Sequence, residues 1–201
     1  MNKILAYISF SLLLLSSCVN GTSTKQPQST DTLNYTCHVD QYFSEFMSRF
    51  PDGLDNDIKR KRMNEVFVTE ITDSLKKSNW LLDDYPLRFE GIKEGRNGLY
   101  RVHFQSWIRP HGFKMQSPDF KEFAFDIVAE IPEKDAINLV DGEFYIVHGH
   151  LNRFISHSEY KKYTDDAAYT PDIEITNSFS SISWLLGEML FDIDSISAYN
   201  D

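Results

Sequence analysis

The sequence predicts an α+β protein in which an N-terminal helical hairpin packs on a five-stranded antiparallel barrel. Three observations carry that expectation. Residues 39–80 hold two apolar stripes of helical period, residues 81–197 hold five stretches of period-two alternation, and one helix-forming insertion falls between the third and fourth stretches. The balance of 41% hydrophobic and 25% charged side chains in 201 residues is that of a globular protein. Collagen-like, disulfide-scaffold and wholly disordered classes are excluded.

Tyr42, Phe43, Phe46, Met47 and Phe50 recur at helical spacing and form the stripe of the first helix, which Pro51-Asp52-Gly53 stops. Asp55, Asn56 and Asp57 then offer side-chain oxygens to the free N–H groups of a second helix, whose stripe is Met63, Val66, Phe67, Ile71 and Leu75. Its first turns carry Lys59-Arg60-Lys61-Arg62, cations that oppose the helix dipole. They read as a solvated face or as a docking patch for an acidic partner. Beyond Trp80 the period falls to two. Leu87 to Ile92 is the first strand, Tyr100 to Ile108 the second, and Phe123 to Ile131 the third, closed by Pro132. Glu133 to Val140 predicts a short helix, and Asp141-Gly142 a turn into a fourth strand over Glu143 to Ile155. A last strand runs near Leu185 to Ile196. The long connection Ser156 to Ser183 is expected to hold an extra hairpin or a loop over one mouth of the barrel. With ~165 ordered residues burying roughly 70% of their unfolded surface, hairpin and barrel should form one cooperative unit.

Upstream, Met1-Asn2-Lys3 precedes an apolar run from Ile4 to Leu15, too short to span a bilayer comfortably and flanked like a secretory signal peptide over residues 1–17. Its end, Leu15-Ser16-Ser17-Cys18, resembles the lipobox of bacterial lipoproteins. The resemblance implies cleavage before Cys18 and acylation of its thiol, with palmitate-type chains anchoring the protein to a membrane of the bacterial cell envelope. Each buried methylene contributes about 0.8 kcal/mol to such an anchor. Residues 18–38, rich in Ser, Thr, Gln and Asn, predict a flexible tether, long enough to stand the domain ~20 Å off the surface. Without residues 1–17 the chain carries 19 basic and 30 acidic side chains, a net charge of −11. That excess disfavours nucleic acid and anionic headgroups as partners, so attachment rests on the acyl chains. Cys37, left without an obvious partner, reads as a small residue in a poorly structured or buried spot, with an intermolecular disulfide or a reactive thiol as the alternative.

Five strands with a helix between the third and fourth resemble the OB-fold, a small, partly open barrel. The resemblance covers residues 86–196 and is topological. Its clearest pieces are Leu139 to Leu151, where a turn feeds a strand with a bend glycine, Gly149, and the closing run Trp184 to Ile193. It implies a ligand-binding or scaffolding role. With the apolar sides of the second and third strands inside, Arg101, His103, Gln105 and Trp107 share an outer face with Asp126, and this face is the candidate binding site for a protein, peptide or glycan. The same residues read equally as an ordinary solvent face with cross-strand ion pairs.

No catalytic residues are identified, and no cofactor is called for. A GxSxG elbow, a phosphate loop, HExxH, CxxC and EF-hand patterns are all missing from the sequence. His148-Gly149-His150 is the one close histidine pair, and on a strand its imidazoles share a side. A metal-assisted envelope hydrolase using His148 and His150 is therefore the alternative reading, with a third ligand needed from His103, Asp126 or His157.

Overall fold

A computed structural model describes residues 37–78, 80–115, 122–165, 173–178 and 181–200. The expected leader, Cys18 and the tether up to residue 36 lie outside the described residues. The first helix, α1 (His38–Arg49), buries Val39, Phe43 and Phe46. Its first N–H is capped from elsewhere in the chain: the His38 amide donates to both oxygens of Asp84, at 3.1 and 3.0 Å. The second, α2 (Asp57–Lys77), begins as expected. The Asn56 side chain accepts from the amides of Ile58 and Lys59, and Met63, Phe67, Ile71 and Leu75 form the buried stripe. The basic run is partly tied to the preceding turn, Lys59 to Asp52 and Asp55 and Arg60 to Asp57.

Five strands follow where alternation predicts them: β1 (Leu87–Glu94), β2 (Leu99–Gln105), β3 (Glu122–Pro132), β4 (Phe144–Phe154) and the last strand (Ser181–Ala198). The expected helix is a single turn, α3 (Glu133–Ala136), because Ile137 to Val140 lead straight into the Asp141-Gly142 turn. Two elements were not expected individually: α4 (His157–Tyr160) and a short strand, β5 (Glu174–Ser178), both inside the long connection. The described strand count is therefore six and not five, and the last strand is β6, 18 residues long.

Pairing runs β3-β2-β1-β4-β6-β5, and β3 also pairs with β6, so the sheet is partly ringed. All pairs are antiparallel except β3 with β6, which run parallel from Glu122↔Ser183 to Val128↔Leu190. The first half of β6 serves β3 and β5, and the second half serves β4. The β1–β4 seam is narrow, with Leu87↔Tyr145 and Arg88↔Phe144 as its register. Two glycines permit the bends. Gly187 adopts φ +73° where the β3–β6 register shifts, and at Gly149 a Cβ would stand 2.3 Å from the Asp192 carbonyl oxygen.

One core runs from the helices into the ring. Phe43 stacks on Trp184 with ring centres 3.9 Å apart and planes 16° apart, and both Phe46 and Phe67 meet Trp184 edge-on. The chain of rings continues through Phe123 and Phe125 to Tyr85. Burial pushes the Tyr85 phenol up to about 12, and its hydroxyl donates to the Ser106 carbonyl. Cys37 and His38, expected in the flexible tether, instead cap and begin α1; Cys37 is buried, and desolvation raises its thiol to about 12, leaving it protonated and unreactive at neutral pH. The indole N–H of Trp184 has no hydrogen-bond partner among the described residues, so packing alone holds this ring. Trp184→Ala should lower the unfolding free energy by about 4 kcal/mol in urea titrations. A loss below about 1 kcal/mol would show that the helices and sheet are not joined through this ring.

Candidate functional site

The side of β2, β3 and β6 that faces away from the core carries most of the residues picked out by sequence. Strand alternation puts Arg101 and His103 on one row, Asp126, Val128 and Glu130 on the next, and Glu188 and Leu190 on the third. Register ties the rows together: Arg101↔Glu130 and His103↔Val128 across β2–β3, Asp126↔Glu188 and Val128↔Leu190 across β3–β6. The expectation that this face meets solvent does not hold. His103 is 2% exposed, Gln105 5% and Asp126 1%.

What covers His103 and Asp126 is the segment from Ile155 to Asp165, including α4. The Ile155 amide donates to the Glu188 carbonyl, and Ile155, Tyr160 and Tyr163 pack with Val128 and Leu190 as a second, smaller apolar cluster. Inside this cap the Tyr160 hydroxyl lies 2.9 Å from His103 Nε2 and 3.3 Å from Asp126 Oδ2, while His103 Nε2 stands 3.4 Å from Asp126 Oδ1. One phenol, one imidazole and one carboxylate thus share a site removed from water. The Tyr160 hydroxyl links the other two, while Asp126 Oδ1 has no hydrogen-bond partner among the described residues. Glu188, 2% exposed, adds a second buried carboxyl group on the same outer face. At the rim, Arg101 Nε meets Glu130 at 3.1 Å, its guanidinium lies 5.6 Å from the Tyr163 ring centre, and Nη1 reaches the Lys162 carbonyl. Burial is the main cause that raises the Tyr163 phenol, so the ring stays neutral beside that cation.

The cap does not close the whole face. A cleft of about 370 Å³ opens between β1 and the end of the cap, lined by Glu90, Ile92, Lys93, His103, Tyr163, Thr164 and Asp165. Lys93 and Asp165 span its mouth with a 2.7 Å ion pair. His103 therefore belongs to both the buried cluster and the cleft wall.

Of the residues picked out by sequence, the structure brings together His103, Asp126 and Gln105, with Arg101 at the rim. Gln105 is buried farther along β2, where it pairs in register with Asp126. Trp107 is separate: it follows the end of β2 and is 45% exposed. The strand ends at Gln105, just before the inward-turned Ser106. Its hydroxyl donates to the Phe123 carbonyl and accepts from the Phe125 amide. His148 and His150 lie on one side of β4, but each has its own carboxylate, Asp83 at 3.2 Å and Asp192 at 3.5 Å. Among the described residues, no three His, Cys, Asp or Glu side chains are grouped to hold a metal ion, and His103, Asp126 and His157 do not join the pair. Tyr160, Tyr163 and Glu188 escaped sequence reading. Their signals were a tyrosine pair at helical i, i+3 spacing in an otherwise polar connection, and a lone carboxylate inside the apolar run Trp184 to Phe191.

Comparison with known proteins finds no matching family model, no matching curated protein and no matching solved structure. Among the described residues, no helix is long and apolar enough to cross a membrane.

Removing the Asp126 carboxylate takes from the buried Tyr160 hydroxyl its acceptor at 3.3 Å and from His103 its neighbouring carboxylate. Asp126→Ala should cost about 3 kcal/mol in chemical denaturation, far more than the same change at an exposed carboxylate. A cost under about 1 kcal/mol would mean that the cluster is wet and not sealed.

Proposed function

We propose that the protein is a lipid-anchored component of the bacterial cell envelope, with an OB-like barrel that binds a ligand and performs no catalytic step. The anchor rests on Leu15-Ser16-Ser17-Cys18 and on the net charge of −11 after leader removal, which leaves acyl chains as the means of attachment. The OB-like reading is supported by the ring order β1-β2-β3-β6-β4, by the parallel β3–β6 pair and by α3 between β3 and β4. β5 and the cap are additions to that plan.

The observation that carries the binding role is the cleft beside His103. It is concave and polar, and its two walls come from separate parts of the chain: a strand of the ring and a capping segment held on it. The imidazole lies at the junction, 2.9 Å from the Tyr160 hydroxyl and 3.4 Å from Asp126. Glu90, Asp165 and the buried carboxyl groups make the surroundings unfavourable for phosphate-rich partners. A small polar ligand or the end of a glycan or peptide chain fits the space.

Two measurements test this reading. Radiolabelled palmitate should enter the wild-type protein in cells and be lost in Cys18→Ser, whereas an unlabelled wild-type protein would remove the anchor. Titrating neutral oligosaccharides and short peptides into the labelled full chain should shift the NMR amide signals of Lys93, Thr164 and Asp165. Binding that leaves those signals in place would overturn the cleft as the site.

A further inference from the structure

Water ordinarily covers the outside of a ring of strands, yet here the outside of β2, β3 and β6 carries an imidazole and two carboxyl groups sealed under a short cap. Fold stability does not account for that arrangement. Apolar residues of similar volume in place of buried charged groups are commonly neutral or stabilising. The cap itself shows what chemistry the face accepts. A single hydroxyl, that of Tyr160, stands between His103 Nε2 and Asp126 Oδ2 and is in reach of both. A group that donates and accepts at once is what the pair holds, and a sugar hydroxyl has the same capacity.

We propose that Ile155–Asp165 is a built-in competitor, and that the face beneath it takes the hydroxyl groups of a neutral oligosaccharide, which enters at the cleft and displaces Tyr160. This rests on the binding reading above and names its ligand class. Three features of the cap fit a displaceable element. Its rim contacts at the surface are ion pairs of small worth, Lys93 with Asp165, whose side chain is 95% exposed, and Arg153 with Glu159, together with Arg101 to the Lys162 carbonyl. Among the described residues, its apolar hold on the sheet is a cluster of Ile155, Tyr160 and Tyr163 on Val128 and Leu190, separate from the main core. Its last residues, Tyr163 to Asp165, already form one wall of the cleft, so a ligand there presses on the cap directly. Tyr163 lines that wall, and an aromatic ring suits the C–H face of a pyranose. An anionic ligand is disfavoured because Asp126 and Glu188 lie beneath, and Lys93 is already engaged by Asp165.

The test uses the full chain, wild type and Tyr160→Phe, with maltohexaose, xylohexaose and chitohexaose as probes. Calorimetry measures affinity, and hydrogen-exchange mass spectrometry follows residues 157–164. Tyr160→Phe keeps the ring and removes the competing hydroxyl, so at least one hexasaccharide should bind it about tenfold more tightly than wild type. The same hexasaccharide should speed exchange of 157–164 in the wild-type protein about tenfold. Asp165→Ala, at an exposed position, unties the cap from Lys93 without touching the buried cluster. It should raise both exchange and affinity about threefold even if Tyr160→Phe fails to fold. Failure of all three sugars to bind any form overturns the ligand class. Binding that shifts Lys93 and Thr164 while the exchange of 157–164 stays unchanged or slows overturns displacement, and leaves the cleft reading standing.

Discussion

The pairing of β6 with both β3 and β4 is the constraint on which the rest of the architecture depends. A strand of 18 residues is longer than either neighbour requires, and its two halves serve different partners, parallel to β3 at one end and antiparallel to β4 at the other. That double service curls the sheet into a partial ring, and a curled sheet has an inside and an outside with different fates. Gly187 sits at the change of register, where its positive φ re-aims the side chains on either side. Trp184, Leu186, Met189 and Phe191 consequently join the core, while Glu188 and Leu190 face the cap.

The inside is filled by aromatic packing that also recruits the helices. Trp184 is the point of contact, stacked on Phe43 and flanked by Phe46 and Phe67, so α1 and α2 are bound to the ring through the same strand that closes it. A second link fixes β5. The Asn64 side chain of α2 both donates to the Ile175 carbonyl, at 3.2 Å, and accepts from the Ile175 amide, at 2.8 Å, taking the place of a neighbouring strand at an otherwise open edge. Helical hairpin and sheet edge therefore protect each other.

The outside follows a different logic. Polar residues that alternation sends to solvent are instead enclosed, and their enclosure is polar in turn: a phenol between an imidazole and a carboxylate, with a cation, Arg101, over the aromatic rim. Low dielectric strengthens every contact in such a cluster and makes every missing contact costly. Among the described residues, the cap packs as a second, smaller apolar cluster apart from the continuous core beneath the ring, and the cleft lies between the cap and β1.

By itself, the sequence determined the local elements and which side of each strand faces the core. The helical stripes of Phe43, Phe46 and Met63 to Leu75, the Asn56 cap, the Asp141-Gly142 turn and the period-two runs are written in neighbouring residues, because helix and strand periods act over a few positions. Tertiary structure decided three other things. Glu174 to Ser178 has little apolar alternation and becomes a strand only because β6 and Asn64 supply its partners. His103, Gln105 and Asp126 are on the outward side, as alternation requires, but nothing in their own spacing reveals that the chain returns decades of residues later to cover His103 and Asp126. Glu188 looks like a surface carboxylate or a misfit in an apolar run until the parallel register sets it beside Asp126. Periodicity is a property of one segment, whereas burial of an outer face depends on contacts between segments far apart in the chain, and only the closed fold specifies those.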